Sequence, residues 1–139
     1  MADISTLLET AVYNIAKANS SLWNSVDGRM KHGRAVAGWS TPYVLYSFPN
    51  LPSTNVYKES SPRVFSVSIY FDVFSSDDYS AAEAGAIAGY IRTAFDGASL
   101  SLTGFNDTTV KMVNGRPAEQ EETGLWHIQL QYSGMACVA

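Results

Sequence analysis

The sequence predicts an α+β domain, in which two helices pack on a mainly antiparallel β-sheet. Apolar residues recur at helical spacing in residues 4–15 and again in residues 84–95. Residues 63–74 and 126–132 instead alternate apolar with polar side chains, as a strand with one buried face does. Helix, strands, helix and strands follow one another along the chain, and this order is typical of an α+β fold.

Length and composition fit one folded domain that spans residues 1–139. Apolar residues make up 46% of the chain and aromatic residues 12%, so we expect a packed core rather than disorder. Charged residues make up only 16%, against about 25% in an average soluble domain, which suits a subunit that contacts other subunits. The single cysteine, Cys137, excludes an internal disulfide and a zinc site built from cysteines.

The charge is unevenly distributed along the chain. The formal net charge is −4, which argues against general nucleic-acid binding. Residues 1–63 carry +2, whereas residues 64–139 carry −6. The N-terminus lacks a secretory signal pattern, and the most apolar helical stretch is far shorter than the roughly 20 residues that cross a bilayer. We therefore expect the protein to be made and assembled in the cytoplasm.

The first half of the chain carries a basic segment. After the amphipathic helix, residues 27–41 contain three glycines and no clear period, which predicts a loop. A short strand is predicted from Pro42, and prolines bracket a second, projecting loop over residues 49–62. The predicted loop of residues 27–41 carries a cluster of basic side chains: Arg29, Lys31, His32 and Arg34.

The second helix has one face made of small residues. Ser80 and Glu83 have the spacing of a capping box, the helix is predicted to end near Phe95, and Gly97 fits its C-terminal cap. Gly85 and Gly89 lie on the face opposite the apolar one, and each costs about 1 kcal/mol relative to alanine. That cost is tolerable where another subunit, or another loop of the same chain, packs close to the helix backbone.

The second half also carries an acidic segment between two strand patterns. A hairpin is predicted over residues 99–113, and the last strand places Trp126 and the apolar residues after it on one face. His127 lies on the other, polar face of that strand. The segment between them carries three closely spaced acidic side chains: Glu119, Glu121 and Glu122.

We find no motif for catalysis, for a metal site or for a cofactor. The two histidines, His32 and His127, are far apart in the sequence, and no metal-ligand spacing, nucleophile elbow or phosphate loop is present. The basic and acidic segments are typical of solvated loops. Alternatively, they meet each other between neighbouring copies, as in a head-to-tail ring, or the acidic segment lines a channel and repels DNA.

The order of several segments resembles the tail completion (tail terminator) proteins of long-tailed phages and gene transfer agents. The resemblance covers nearly the whole chain and rests on packing and turn residues. These are the strand start at residues 41–46, the strand end at residues 70–74, the helix start at residues 78–84 and the last strand at residues 122–132.

This resemblance implies a structural virion protein without catalytic residues or cofactors. Members of that family form a ring, usually hexameric, on the head-proximal end of the tail tube. The ring stops tube polymerisation and joins the head-completion (stopper) protein, and DNA passes through its channel. The basic residues, Gly85, Gly89 and the three glutamates are candidate contacts with subunits or partners.

Two other classes of function stay open from the residues alone. A small-molecule-binding module would use Tyr43, Tyr46, Tyr70 and Trp126 to line a pocket. A hydrolase would use His127 with Asp72 or Glu122, and this requires those side chains to meet in a cleft.

Overall fold

The computed structural model describes residues 4–49, 64–76, 80–106 and 108–137, and the elements below lie within these ranges. The helices are α1 (Ile4–Ala18), α2 (Ser20–Ser25) and α3 (Ala82–Phe95). The strands are β1 (Met30–His32), β2 (Tyr43–Ser47), β3 (Val64–Ser75), β4 (Ala98–Leu100), β5 (Thr108–Gly115), β6 (Glu119–Gln120) and β7 (Trp126–Cys137).

The strands form one mixed sheet in the order β1-β2-β3-β7-β5-β4, and β6 pairs with β7 beyond the end of β5. All of these pairs are antiparallel except β1 with β2, which are parallel. The α+β class is therefore confirmed. The sheet is mixed because the chain crosses over between β1 and β2 through residues 33–42 instead of turning back directly.

Strands β3 and β7 form the centre of the sheet. They pair along their whole length, from Val64 opposite Cys137 to Ser75 opposite Trp126. The predicted alternation is confirmed, since Val67, Ile69 and the following alternate residues of β3 are buried. Because alternate side chains point to opposite faces, β3 and β7 expose a second face. We call the face that carries the buried side chains the inner face, and the opposite face the outer face.

The helices cover the inner face. Helix α1 buries Leu8 and Val12 there, and α3 packs against β3 and β7. The ring of Phe71 lies 4.6 Å from that of Phe95 on α3 and meets Tyr132 edge-on at 5.6 Å. Fully burying such a side chain contributes roughly 1.5–3 kcal/mol, so this aromatic cluster is a main source of stability.

Three local predictions are wrong. A third helix, α2, follows α1 directly because the side-chain oxygen of Asn19 accepts a hydrogen bond from the Leu22 N–H at 2.9 Å and caps it. Strand β1 lies inside the predicted loop of residues 27–41. The capping box is not formed, because Glu83 accepts a hydrogen bond from Ser75 and α3 begins after Ala81 without a side-chain cap.

Other predictions concern ends and loops. Gly97 has a φ of 75° just after α3 and takes the left-handed position that the sequence predicts for it. The predicted projecting loop, residues 49–62, lies outside the described residues apart from Pro49. Among the helices that the structure describes, none combines the length and the hydropathy needed to cross a membrane.

Candidate functional site

The four basic residues lie on or next to β1, at one edge of the sheet. We call this edge, Arg29 to Arg34, the basic edge. Two of its side chains form polar contacts within the chain. Arg29 donates to the Pro42 carbonyl oxygen at 3.1 Å and lies 3.5 Å from Asp27, and His32 Nδ1 lies 3.0 Å from Glu9 Oε2 on α1. Arg29 and His32 therefore fix the position of β1.

The other two cations of the basic edge are free within the described chain. Lys31 and Arg34 are exposed, and no described carboxylate lies within ion-pair distance of either. Lys31 is paired in register with Leu45, which is paired with Asp72, so its side chain lies on the outer face. These two charges are available to a partner.

The acidic residues lie on β6 and on the turn that leads to β7. We call residues 119–122 the acidic edge. The Glu121 N–H donates to the Leu125 carbonyl at 2.8 Å, and the Gly124 N–H donates to the Glu121 carbonyl at 2.9 Å. Gly124 has a φ of 86°, which suits glycine, so the turn is closed and well defined. Glu119 and Glu122 are exposed, so two carboxylates face solvent.

His127 holds the acidic edge to the centre of the sheet. Its Nε2 lies 2.7 Å from Asp72 Oδ1, and its Nδ1 lies 3.2 Å from Glu121 Oε1. Gln129 also donates to Asp72 Oδ1 at 3.1 Å. Because a neutral imidazole has one N–H, only the doubly protonated ring can donate to both carboxylates. The residue that joins His127 is Glu121 and not Glu122.

This arrangement does not favour a hydrolase. Both ring nitrogens of His127 face carboxylates, so neither is left to take a proton from a nucleophile or from water. Ser75 is the serine on β3 that lies three residues after Asp72. It is fully buried, and its hydroxyl donates a hydrogen bond to Glu83. His127 acts as a link between strands.

A row of rings crosses the outer face beside this link. Trp39, Tyr43, Phe74 and His127 follow one another, with centroid distances of 6.1, 5.1 and 4.5 Å. The last two contacts are stacked. Sequence reasoning missed this row and the Glu121 contact. The sequence shows the alternation within each strand. It does not show the register, which sets Tyr43 opposite Phe74 and Phe74 opposite His127.

Helix α3 leaves its small-residue face open. A Cβ added at Gly85 or Gly89 meets no atom of the described chain within 4 Å. Tyr90 on the same helix is 38% exposed. Of the two explanations for these glycines, close packing by a loop of the same chain is not seen among the described residues. No described residue outside α3 covers the Cβ positions of Gly85 and Gly89.

The predicted tyrosine pocket is not formed. Tyr43 and Tyr70 are paired in register with outer-face residues, whereas Tyr46 is buried on the inner face and Trp126 packs against the core. A groove of about 360 Å³ lies elsewhere, between the ends of α1 and α3. Its lining is Ile15, Ala18, Asn19, Thr93 and Ala94. None of these side chains titrates, and no group of three metal-ligating side chains occurs in the part of the chain that the structure describes.

Two buried tyrosines of the core have raised pKa values. Burial raises the pKa of Tyr46 to about 12, and the Glu9 charge adds to the effect. Burial likewise raises the pKa of Tyr132 to about 12, with a further contribution from Asp96. The Tyr132 hydroxyl has no hydrogen-bond partner within the described chain. These shifts bear on stability at high pH rather than on a reaction.

Comparisons with known proteins match most of the sequence to one family and the fold to two solved structures. The sequence model of the family described as tail completion protein gp17 matches residues 10–135. A solved chain from the virion of a native gene transfer agent particle aligns with a TM-score of 0.75 at 19% identity, covering 96% of this chain and 97% of that one. A second solved chain aligns with a TM-score of 0.70 at 9% identity, covering 98% and 94%. No curated protein sequence matches.

Proposed function

The chain belongs to the family of tail completion protein gp17, and we propose that it forms a ring on the head-proximal end of a phage-type tail tube. Its role is structural and its place is the virion tail. The observation that carries the proposal is the family match over residues 10–135, which covers nearly the whole domain. The fold shared with a gene transfer agent virion chain agrees with it.

In the proposed role the ring stops the tail tube from growing and presents a surface to the head-completion (stopper) protein. DNA passes through the central channel. A formal net charge of −4 on each copy disfavours tight binding of the phosphate backbone. Weak binding suits a channel through which DNA must move. The ring is proposed to be hexameric and to assemble in the host cytoplasm.

The surface of the described chain offers candidate contacts for a subunit of an assembly. Four exposed charges have no ion-pair partner among the described residues: Lys31 and Arg34 at one edge of the sheet, and Glu119 and Glu122 at another. The open face of α3 around Gly85 and Gly89 is a second candidate contact. We propose that no catalytic step takes place on this protein and that it needs no cofactor.

Deletion of the gene tests this function in the particle that encodes it. Without the protein we expect tails of irregular and excessive length, and heads without tails, when lysates are viewed by electron microscopy. Expression of the wild-type gene from a plasmid should restore joined particles. Tails of normal length joined to heads in the deletion strain would contradict the proposal.

A further inference from the structure

We propose that the β-sheet continues from one copy of this protein to the next, with the basic edge of one copy paired to the acidic edge of its neighbour. The inference rests on the proposed ring, and it adds which surfaces meet and in which geometry. The two edges are β1 with Lys31 and Arg34, and β6 with Glu119 and Glu122.

Both edges offer unpaired backbone groups. The Arg29 carbonyl accepts from the Val44 N–H, and the Gly33 N–H donates to the Tyr46 carbonyl, so the odd-numbered residues of β1 face β2. The backbone groups of His32 therefore point away from the sheet. On β6, the Glu121 N–H faces Leu125, so the groups of Gln120 point outward by the same alternation. No described strand pairs with either outer side.

The strand directions make the proposed pairing antiparallel. β1 runs parallel to β2, and β2 and β7 both run antiparallel to β3. β6 runs antiparallel to β7 and so opposite to β1. When a second copy follows in the same orientation, its β1 meets β6 in antiparallel order. This is the more stable arrangement per residue, and it gives a head-to-tail contact that a ring can repeat.

The side chains are placed to set the register. Lys31 lies on the outer face through its pairing with Leu45, and Glu119 lies on the same face through its pairing with His127. If Gln120 pairs with Met30 of the next copy, Lys31 stands opposite Glu119. Opposite charges at such positions stabilise a strand pair, and like charges destabilise it.

Charge reversal tests the contact. The variant K31E/R34E makes both edges acidic, and E119K/E122K makes both basic. We expect each variant to associate about tenfold or more weakly than wild type, measured by light scattering over a concentration series. The four-fold variant K31E/R34E/E119K/E122K exchanges the two signs and keeps the wild-type net charge of −4. It should associate like wild type, and a mixture of the two double variants should form mixed assemblies.

The control is Lys111→Glu, which changes the charge of an exposed residue of β5, away from both edges. It should leave association unchanged, and all variants should keep the wild-type thermal unfolding, since the altered side chains are exposed. If the two double variants assemble as well as wild type, the proposed edge contact is wrong, whereas the proposed ring is not contradicted. If wild type assembles neither alone nor with tail tube protein, the proposed function itself is overturned.

Discussion

Replacing Gly85 and Gly89 with alanine should stabilise the isolated subunit. Glycine in a helix interior costs about 1 kcal/mol relative to alanine. A Cβ at either position meets nothing within 4 Å in the described chain, so no clash reduces the gain. The double variant should therefore gain about 2 kcal/mol in the free energy of unfolding, or roughly 6 °C in Tm for a domain of this size.

The assay is denaturant unfolding of dilute, dispersed protein, with wild type measured beside each single variant. A loss of stability would refute the reasoning, because it would mean that part of the same chain packs against these glycines. The bulkier variants Gly85→Leu and Gly89→Leu separate folding from assembly. They should unfold much like the alanine variants but assemble poorly if the open face of α3 contacts a neighbour, and unchanged assembly would exclude that contact.

Three further predictions concern the fold around the site. Gly134→Ala should cost about 3 kcal/mol in the free energy of unfolding, because its Cβ would overlap the backbone of β5; a neutral result would contradict the register of β5 and β7. Since burial raises the pKa of Tyr46 and Tyr132 to about 12 in the folded state, the free energy of unfolding should fall as the pH rises from about 10 to about 12. Tyr132→Phe should flatten that fall and leave stability at pH 7 equal or higher, and a large loss at pH 7 would reveal a hydrogen bond to its hydroxyl. His127→Ala should cost about 1–2 kcal/mol by removing the link to two carboxylates; an unchanged midpoint in urea would show that the link does not stabilise the fold.

The sequence predicts the elements whose pattern is local and regular. The alternation in residues 63–74 and 126–132 places the buried side chains of β3 and β7 correctly, because one face of each strand contacts the core. The apolar faces of α1 and α3 follow from their helical spacing in the same way. These patterns are strong because burial along one face of an element selects every third, fourth or second residue.

The missed features depend on contacts between distant segments. Strand β1 has three residues and no apolar alternation, and it forms because β2 offers an open edge. The capping box at Ser80 fails because Ser75, from the end of β3, donates to the Glu83 carboxylate instead. The link through His127 joins strands that are 55 residues apart in the chain, and it follows from the register of β3 and β7 rather than from any local motif.

The most direct test of the central claim is the mass of the purified protein in solution, measured by light scattering with and without tail tube protein from the same genome. The account predicts a ring-sized species, formed either alone or when the tube protein is added, and a cap at one end of each tube in electron micrographs. A monomer at every concentration, which ignores the tube protein and leaves tube growth unchanged, would contradict the account.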